Sequence, residues 1–469
     1  MTGTAAIIGG GVIGSGWAAR FLLNGWDVRV FDPDPDAERK IAEGLAAARR
    51  ALPMLYDVAL PAEGRLDFAG RIAEAVADAD WIQESVSERL DLKHRVFREI
   101  EAAAPEAALI GSSTSGFKPS QLQEGAARPG RIFVAHPFNP VYLLPLVELV
   151  GGVKAEPDSI EKASEILSAV GMLPLRVRGE IDAHLADRFL EAVWREALWL
   201  VKDGIATTAE IDDAIRMGFG LRWAQMGLFE IYRLAGGEQG MRHFLAQFGP
   251  ALEWPWTKLM DVPALDDALV EEIATQSDAQ SGHMTIGELA RLRDDNLVAL
   301  LRALKARGAA AGRVVGDHEA RLRPTPVVGA LMETQRRVVP VDWTDYNGHM
   351  NEGRYGQVFS DAAETVLAAI GAMEAYVARG LSYFTVETDI RYLAETLAGE
   401  EISVETRVTQ GEGKKLRLFH EMKRATDAAL LATCDQLLIH VNLATRRACA
   451  PEPEVAAAIA RLAAARAGG

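Results

Sequence analysis

The sequence predicts three kinds of folded domain on one chain: a doubly wound α/β domain of the Rossmann type, an all-α domain and an α+β domain. Three observations support this prediction. Residues 4–110 alternate short apolar runs with segments of helical periodicity. Residues 180–307 carry long amphipathic patterns and few strand signals. After residue 335, one helical pattern is followed by four strand-like runs.

The length of 469 residues is too great for a single hydrophobic core, and two or three domains are expected. We place the α/β domain at 1–179 and the helical domain at 180–307. A linker rich in Ala and Gly is predicted at 308–334. The α+β domain takes 335–450, and 451–469 is predicted to be a helical tail.

Composition excludes several classes of partner. A formal net charge of −16 disfavours nucleic acid and anionic membrane surfaces. No uncharged apolar run is long enough to span a bilayer. The two cysteines, Cys434 and Cys449, supply neither a disulfide framework nor a zinc pattern, so we predict no metal site and a cytoplasmic location.

In the first domain, buried parallel strands are predicted from short apolar runs, with helices such as Gly14–Asn24 and Lys93–Ala103 between them. The predicted strands are Ala5–Ile8, Val28–Phe31, Trp81–Ser85, Leu109–Ser112, Ile132–Ala135 and Leu146–Val150.

The helical domain is predicted to begin with a long amphipathic helix over Ala183–Val201. The α+β domain is predicted from a strand over Arg336–Val341, a helix over Gly353–Ile370 and four further strands. Those four strands are Thr385–Leu393, Glu401–Val408, Leu416–Arg424 and Leu430–Val441.

A dinucleotide-binding loop follows the first strand, with the spacing Gly9-x-Gly11-x-x-Gly14. The first glycine permits a tight turn, the second admits the pyrophosphate, and the third lets the helix pack on the strand. The loop residues Val12 and Ile13 are included in this predicted site. Asp32 lies 18 residues beyond Gly14, where its carboxylate can accept ribose hydroxyls and repel a 2′-phosphate, which favours NAD over NADP. The alternative is a glycine-rich turn without function.

A candidate site for alcohol oxidation lies after the fifth strand. His136 directly follows the predicted strand Ile132–Ala135, and Glu148 lies twelve residues later on the next predicted strand. A carboxylate beside an imidazole orients the ring, and the imidazole can accept a hydroxyl proton near pH 7. Ser115, on the loop after Leu109–Ser112, is placed to hydrogen-bond the reacting oxygen. The alternative for His136 is a strand-end histidine that only hydrogen-bonds backbone.

Residues 1–310 resemble the 3-hydroxyacyl-CoA dehydrogenase family in these motifs together with Glu84-Ser-Val-Ser-Glu88, Lys93, Ser112–Gly116 and His136–Pro140. The resemblance implies that His136 is the catalytic base, Glu148 its partner and Ser115 a contact to the substrate oxygen. It also places Glu88 and Lys93 near the cofactor.

One position departs from the pattern of this family. The family usually carries Asn-Arg early in the first long helix, where this chain has Asp187-Arg188. A carboxylate there favours a cationic substrate by Coulomb attraction, or else it pairs with Arg188 or another cation of the protein. Overall similarity implies L-carnitine as substrate, a small 3-hydroxy acid bearing a quaternary ammonium group, with Asn139, Asp187 and Trp223 as candidate substrate contacts.

The segment Asp345-Tyr-Asn347-Gly-His349 precedes the helix Gly353–Ile370, and residues 335–445 resemble the hotdog-fold thioesterases. The resemblance implies that Asp345 is the catalytic carboxylate acting on an acyl-CoA. Asp345 acts either as a nucleophile or by activating water, with Asn347 or His349 positioning it. The alternatives are a non-catalytic assembly or acyl-CoA-binding domain, and a purely structural His349.

The expected function is therefore bifunctional: NAD-dependent oxidation of L-carnitine, and hydrolysis of a short acyl-CoA such as betainyl-CoA. The alternative is a dehydrogenase of another 3-hydroxy acid or of 3-hydroxyacyl-CoA, joined to a hotdog domain that only assembles subunits. Because both resembled families commonly dimerise, a homodimer is expected.

Overall fold

The computed structural model describes residues 2–235, 238, 240–248, 256–258, 264, 266–323 and 331–464. The chain divides into two compact units. The first comprises residues 1–49 and 62–318, and the second comprises residues 50–61 and 319–469. No helix among the described residues combines the length and the apolar character that crossing a membrane requires.

The first unit contains an eight-stranded sheet with the order β3-β2-β1-β4-β5-β6-β7-β8 among the described residues. Its neighbours pair in parallel except β6 and β7, which are antiparallel. The strands are β1 (Thr4–Ile8), β2 (Asp27–Phe31), β3 (Leu66–Phe68), β4 (Trp81–Glu84), β5 (Leu109–Ser112), β6 (Ile132–Pro137), β7 (Leu146–Val150) and β8 (Leu173–Arg176).

Helices connect these strands and continue beyond β8. They are α1 (Val12–Leu22), α2 (Ala37–Ala51), α3 (Ile72–Val76), α4 (Leu90–Ala103), α5 (Pro119–Leu122), α6 (Pro157–Ala169), α7 (Ala186–Lys202), α8 (Thr208–Ala214), α9 (Gly220–Ala235), α10 (Gly240–Phe248), α11 (Asp267–Ser281), α12 (Ile286–Ala306) and α13 (Ala310–Leu322). A π-helical turn, Ile215–Phe219, joins α8 to α9.

The predicted Rossmann architecture is confirmed, with two strands that the sequence did not reveal. β3 has only three residues and β8 contains a proline, so neither shows the apolar run of a buried strand. The predicted helix at Ala183 begins instead at Ala186. Ala183 and His184 have φ of 60° and 51°, which lies outside the right-handed helical region.

The second unit has the predicted α+β architecture. Its described strands form one antiparallel sheet in the order β10-β13-β12-β11-β9, with β14 paired to β13. The strands are β9 (Met332–Val338), β10 (Leu381–Tyr392), β11 (Glu401–Glu412), β12 (Lys415–Arg424), β13 (Leu430–Asn442) and β14 (Arg447–Ala448), and the helices are α14 (Glu352–Ala369), α15 (Glu374–Val377) and α16 (Pro453–Ala464). The buried face of α14 packs on the sheet through residues such as Val358, Phe359 and Ala362.

Two predicted segments differ in the structure. The prediction of a linker over 308–334 was wrong for most of that segment, because the segment contains α13 and the start of β9. Residues 324–330 lie outside the described residues. The helix predicted within 451–469 is confirmed as α16, but it packs on the sheet and is not a separate tail. α16 buries Val455, Ile459 and Leu462 in the same apolar cluster as the sheet residues Val408 and Leu416. Residues 465–469 are not described.

Candidate active sites

The glycine-rich loop between β1 and α1 has two glycines that the fold requires and one that it does not. Gly9 has φ of +103°, and a Cβ on Gly14 would lie 1.8 Å from the Gly9 carbonyl oxygen. A Cβ on Gly11 would meet nothing within 4 Å. Packing among the described residues therefore does not require glycine at position 11. The missing side chain leaves room for a ligand at the N-terminus of α1, where Val12 is exposed.

Asp32 follows β2 and lies beside this loop. Its Oδ2 accepts a hydrogen bond from the Gly10 N–H at 2.5 Å, and its Oδ1 accepts one from the Asp34 N–H at 2.8 Å. These bonds fix the carboxylate next to the start of α1. A helix N-terminus for the pyrophosphate and a fixed carboxylate for the ribose are the donor and acceptor sets that NAD requires. The loop residues Gly9–Gly14 and Asp32 therefore fit this cofactor.

Glu84, Glu88 and Lys93 form a buried ionic network beside the loop. The Lys93 Nζ lies 2.8 Å from the Glu84 Oε1 and 3.2 Å from the Glu88 Oε2, and its side chain is 1% exposed. Glu88 also accepts hydrogen bonds from the Thr114 hydroxyl and the Gly116 N–H, on either side of Ser115. Although burial opposes it, the Thr114 bond and the Lys93 charge hold the pKa of Glu88 below its ordinary value. The structure thus places Lys93 as a support of the Ser115 loop, while Glu88 remains half exposed.

His136 lies at the end of β6, directly opposite Glu148 on β7 in the antiparallel register. The His136 Nδ1 is 3.1 Å from the Glu148 Oε2, and its Nε2 is 3.2 Å from the Ser115 Oγ. Because the Glu148 oxygen can only accept, Nδ1 carries a proton, and in the neutral ring the free electron pair is therefore on Nε2. The arrangement presents a proton acceptor at Nε2, beside an exposed serine hydroxyl.

Glu148 is fully buried and is fixed by the first turn of α7. Its Oε1 accepts hydrogen bonds from the Leu185 N–H at 2.8 Å and the Ala186 N–H at 3.0 Å. Burial tends to raise its pKa, but the hydrogen bonds from His136 and from these two N–H groups lower the pKa below its ordinary value. Glu148 therefore stays ionised and orients the imidazole.

His184 is a site residue that the sequence did not single out. It is fully buried, its ring centroid lies 5.6 Å from that of His136, and its Nε2 is 3.2 Å from the Thr114 carbonyl oxygen. Burial lowers its pKa, so it is neutral and donates to that carbonyl. His184 thereby connects the loop that carries Ser115 to the start of α7. Its position in the first turn of the predicted helix Ala183–Val201 was the only available signal.

The three candidate substrate contacts lie in different settings. Asp187 is in the first turn of α7, with its Oδ2 3.5 Å from the His136 Nε2. Asn139 is exposed on the loop after β6. Trp223 is 40% exposed on α9, with its ring 4.6 Å from that of Phe219. Only Asp187 has a described contact with His136.

In the second unit, Asp345, Asn347 and His349 share one turn before α14. The Asp345 Oδ1 accepts hydrogen bonds from the backbone N–H of Asn347 at 2.8 Å and of His349 at 3.2 Å. The backbone N–H groups of Asn347 and His349, and not their side chains, thus hold the carboxylate. The Asn347 side chain is exposed, and the His349 Nε2 lies 3.5 Å from the Glu395 Oε2.

The N-terminus of α14 lies beside this turn. Thr344 and Met350 form a β-bridge, and the Asn351 N–H donates to the Trp343 carbonyl oxygen at 3.0 Å, which closes the turn against the start of the helix. The Asn351 side chain caps the helix by accepting from the Gly353 N–H at 3.0 Å. A carboxylate next to a helix N-terminus can activate a nucleophile while N–H groups stabilise an oxyanion.

Three family models match the chain. Residues 4–181 match the NAD binding domain of 3-hydroxyacyl-CoA dehydrogenase, and residues 184–272 match the C-terminal domain of that enzyme. Residues 339–459 match the thioesterase-like superfamily. Among solved structures, a 5-formyl-3-hydroxy-2-methylpyridine 4-carboxylic acid 5-dehydrogenase is 27% identical with a TM-score of 0.56, over 65% of this chain and 99% of that one.

Similar proteins cover the whole chain. An L-carnitine dehydrogenase/betainyl-CoA thioesterase of Ruegeria pomeroyi is 63% identical over 99% of this chain and 96% of that protein. A protein of the same name from Agrobacterium fabrum is 56% identical over 97% and 94% of the two chains. An L-carnitine dehydrogenase of Pseudomonas putida is 52% identical over 67% of this chain and 98% of its own length. The chain therefore belongs to the family of the L-carnitine dehydrogenase/betainyl-CoA thioesterases, in which a 3-hydroxyacyl-CoA dehydrogenase part is joined to a thioesterase-like part.

Proposed function

We propose that the first unit oxidises the 3-hydroxyl of L-carnitine to 3-dehydrocarnitine with NAD, and that the second unit hydrolyses betainyl-CoA to glycine betaine and CoA. The observation that carries the first assignment is the imidazole of His136, fixed at Nδ1 by Glu148 and open at Nε2 beside Ser115. The substrate assignment is supported by relatives of that name at 51% to 63% identity over at least 93% of the chain.

The His136 Nε2 accepts the proton of the substrate hydroxyl, while the carbon that bears the hydroxyl loses a hydride. The Glu148 carboxylate receives the Nδ1–H hydrogen bond throughout and stabilises the positive charge that forms on the ring. Ser115 donates a hydrogen bond to the reacting oxygen and keeps it within reach of Nε2. Its hydroxyl lies 3.2 Å from that nitrogen in the free protein and marks where the oxygen binds.

When bound, NAD supplies the hydride acceptor for this reaction. The N-terminus of α1 with Gly9, Gly11, Val12, Ile13 and Gly14 would hold its pyrophosphate, and Asp32 would hold the adenosine ribose. The negative charge of Asp32 selects against a cofactor with a 2′-phosphate. Glu88 contacts the cofactor in this proposal, and Lys93 orients Glu88.

In the second unit, Asp345 either attacks the thioester carbonyl as a nucleophile, forming an anhydride that water then hydrolyses, or takes a proton from the water that attacks it; in both cases CoA leaves as the thiol. Its Oδ1 is held by two backbone N–H groups, and Oδ2 accepts no hydrogen bond from any described residue, so this oxygen faces the reaction. The carbonyl oxygen would lie toward the N–H groups at the start of α14. Asn347 and His349 contribute through their backbone N–H groups, and His349 with Glu395 lines the approach.

We also propose that the protein is a cytoplasmic homodimer. The helical part of the first unit exposes large apolar side chains, which a second copy would cover: Phe189 (60%), Leu190 (57%), Trp194 (55%), Leu221 (57%) and Phe229 (71%). Both cysteines are free thiols, as in a reducing compartment. Light scattering on the purified chain tests the dimer, and a monomer at micromolar concentration would contradict it.

The function is tested by two measurements on the full-length protein. NADH formation is followed with L-carnitine, 3-hydroxybutyrate and 3-hydroxybutyryl-CoA, and release of CoA is followed with betainyl-CoA and acetyl-CoA. The proposal expects the highest kcat/KM for L-carnitine and for betainyl-CoA. If 3-hydroxybutyryl-CoA were oxidised and L-carnitine were not, the first assignment would be wrong. Without CoA release from either thioester, the second unit would be an assembly domain.

A further inference from the structure

Two carboxylates flank the His136 ring, and their surroundings differ sharply. Glu148 is fully buried and accepts three hydrogen bonds, from His136 and from the Leu185 and Ala186 N–H groups. Asp187 lies 3.5 Å from the other ring nitrogen, and its side chain is only 20% exposed. Yet Asp187 accepts no hydrogen bond from any residue in the described part of the chain. Glu148 is thus part of the framework of the site, whereas Asp187 lacks donors.

A carboxylate that is largely buried and lacks donors is unfavourable in the free protein. Burial raises the pKa of Asp187 above its ordinary value, and the nearby negative charge of Glu148 raises it further, against the effect of His136. Among the described residues, only the imidazoles of His136 and His184 act against this cost, and only when they are charged. A positive charge supplied by the ligand would offset it.

We propose that Asp187 binds the quaternary ammonium group of the substrate and gives the dehydrogenase site its preference for a cation. This inference rests on the proposed oxidation of L-carnitine. Asp187 projects to the side of His136 where the substrate hydroxyl binds, because its Oδ2 is close to Nε2 and not to Nδ1. The ligand recognised is a trimethylammonium group one methylene from the carbinol carbon.

The covalent geometry of the substrate agrees with this placement. Standard bond lengths put the quaternary nitrogen about 3–4 Å from the hydroxyl oxygen. That oxygen binds about 2.8 Å from Nε2 in a hydrogen bond. With a carboxylate oxygen 3.5 Å from the same nitrogen, these distances allow the ammonium group to lie roughly 4–6 Å from that oxygen. A trimethylammonium group cannot donate an N–H hydrogen bond, so a Coulomb contact without donors is the interaction it requires.

The test compares two substrates that differ only in charge. L-carnitine is measured against 3-hydroxy-5,5-dimethylhexanoate, in which a quaternary carbon replaces the quaternary nitrogen. In the Asp187→Asn variant, the ratio of kcat/KM for L-carnitine to that for the carbon analogue falls on the order of 100-fold, as expected for unit charges about 5 Å apart at an effective dielectric constant near 20. Asp187→Glu keeps the charge and retains a larger ratio than Asp187→Asn.

Glu191→Gln is the matched control. Glu191 lies one turn further along α7, its side chain is 54% exposed, and the variant changes the net charge equally. In Glu191→Gln, the ratio of kcat/KM for L-carnitine to that for the carbon analogue stays within threefold of the wild-type ratio. A ratio within threefold of wild type in Asp187→Asn would overturn the inference. If the wild-type protein does not oxidise L-carnitine at all, the proposed function itself fails, and that result is distinct.

A binding measurement covers the case in which Asp187→Asn turns over neither substrate. Calorimetry with NADH-loaded protein compares 4-(trimethylammonio)butanoate with 5,5-dimethylhexanoate, neither of which has a hydroxyl group to oxidise. Wild type prefers the cation, and Asp187→Asn loses that preference by a similar factor. An unchanged ratio of the two Kd values would overturn the inference.

Discussion

Replacement of Glu148 by glutamine should abolish the dehydrogenase for a reason that the hydrogen bonds make explicit. One carboxylate oxygen accepts from two backbone N–H groups, of Leu185 and Ala186. In Glu148→Gln the carbonyl oxygen must keep those two donors, which turns the amide NH₂ toward the His136 Nδ1. The Nδ1 must then accept a hydrogen bond, and the ring proton moves to Nε2. The imidazole can no longer accept a proton from the substrate.

The magnitude separates this mechanism from a simpler one. Loss of a charge-assisted hydrogen bond alone is worth about 1.5–3 kcal/mol, or roughly 10- to 100-fold in rate. An imidazole held in the wrong tautomer in the serine-protease triad costs about 10⁴-fold. We expect kcat with L-carnitine to fall by about 10³- to 10⁴-fold in Glu148→Gln.

The assay is initial-rate NADH formation at saturating NAD, with circular dichroism and the Tm measured on the same samples. Glu161→Gln, an exposed carboxylate on α6, is the control for the change in net charge and should match wild type. A folded Glu148→Gln protein with kcat within tenfold of wild type would show that Glu148 does not set the tautomer of His136.

Three further predictions concern other groups. Asp32→Ala should raise the Kd for NAD about 10- to 100-fold and lower the ratio of the Kd for NADP to the Kd for NAD, both measured by fluorescence titration. An unchanged Kd for NAD would refute the role of Asp32. Lys93→Met leaves the buried Glu84 carboxylate without its cationic partner and should lower the free energy of unfolding by about 3–5 kcal/mol in urea melts. Weaker NAD binding at unchanged stability would instead assign Lys93 to the cofactor site. Asp345→Ala should reduce betainyl-CoA hydrolysis about 10²- to 10⁴-fold and leave NADH formation and oligomer size unchanged; altered oligomer size alone would favour an assembly domain.

The local features of the first site were predictable because each depends on short sequence spacing. A strand, a glycine-rich turn and a helix follow one another within Thr4–Leu22, so the loop geometry of Gly9–Gly14 is a local matter. The same holds for His136 and Glu148. A short connection between the antiparallel strands β6 and β7 places these two residues opposite each other.

Contacts between distant segments were not predictable from the sequence. Glu148 accepts hydrogen bonds from residues 37 and 38 positions later, and His184 donates to a carbonyl 70 positions earlier. Neither pairing has a local signature, because the α7 N-terminus reaches Glu148 only through tertiary packing. The burial of Lys93 beside Glu84 was not predictable for the same reason, because it depends on how β4 and α4 meet.

The linker was misassigned, and the packing of the terminal helix was missed, because both segments contain many small residues. Small residues interrupt both segments: α13 begins with Ala310-Ala-Gly312, and α16 carries Ala456-Ala-Ala458 between buried Val455 and Ile459. In α16, Val455, Ile459 and Leu462 recur at helical spacing and are buried, which identifies a packed helix once a partner surface exists. Small side chains alone do not separate a linker from a helix that packs closely.

The most direct test of the central claim is His136→Gln in the full-length chain, with both reactions measured on one preparation. We expect NADH formation from L-carnitine to fall at least about 10²- to 10⁴-fold, because the amide side chain of glutamine cannot accept the proton that the His136 Nε2 accepts beside Ser115. Hydrolysis of betainyl-CoA, at Asp345 in the other unit, should continue at the wild-type rate. Near wild-type NADH formation by a folded His136→Gln protein would contradict the account.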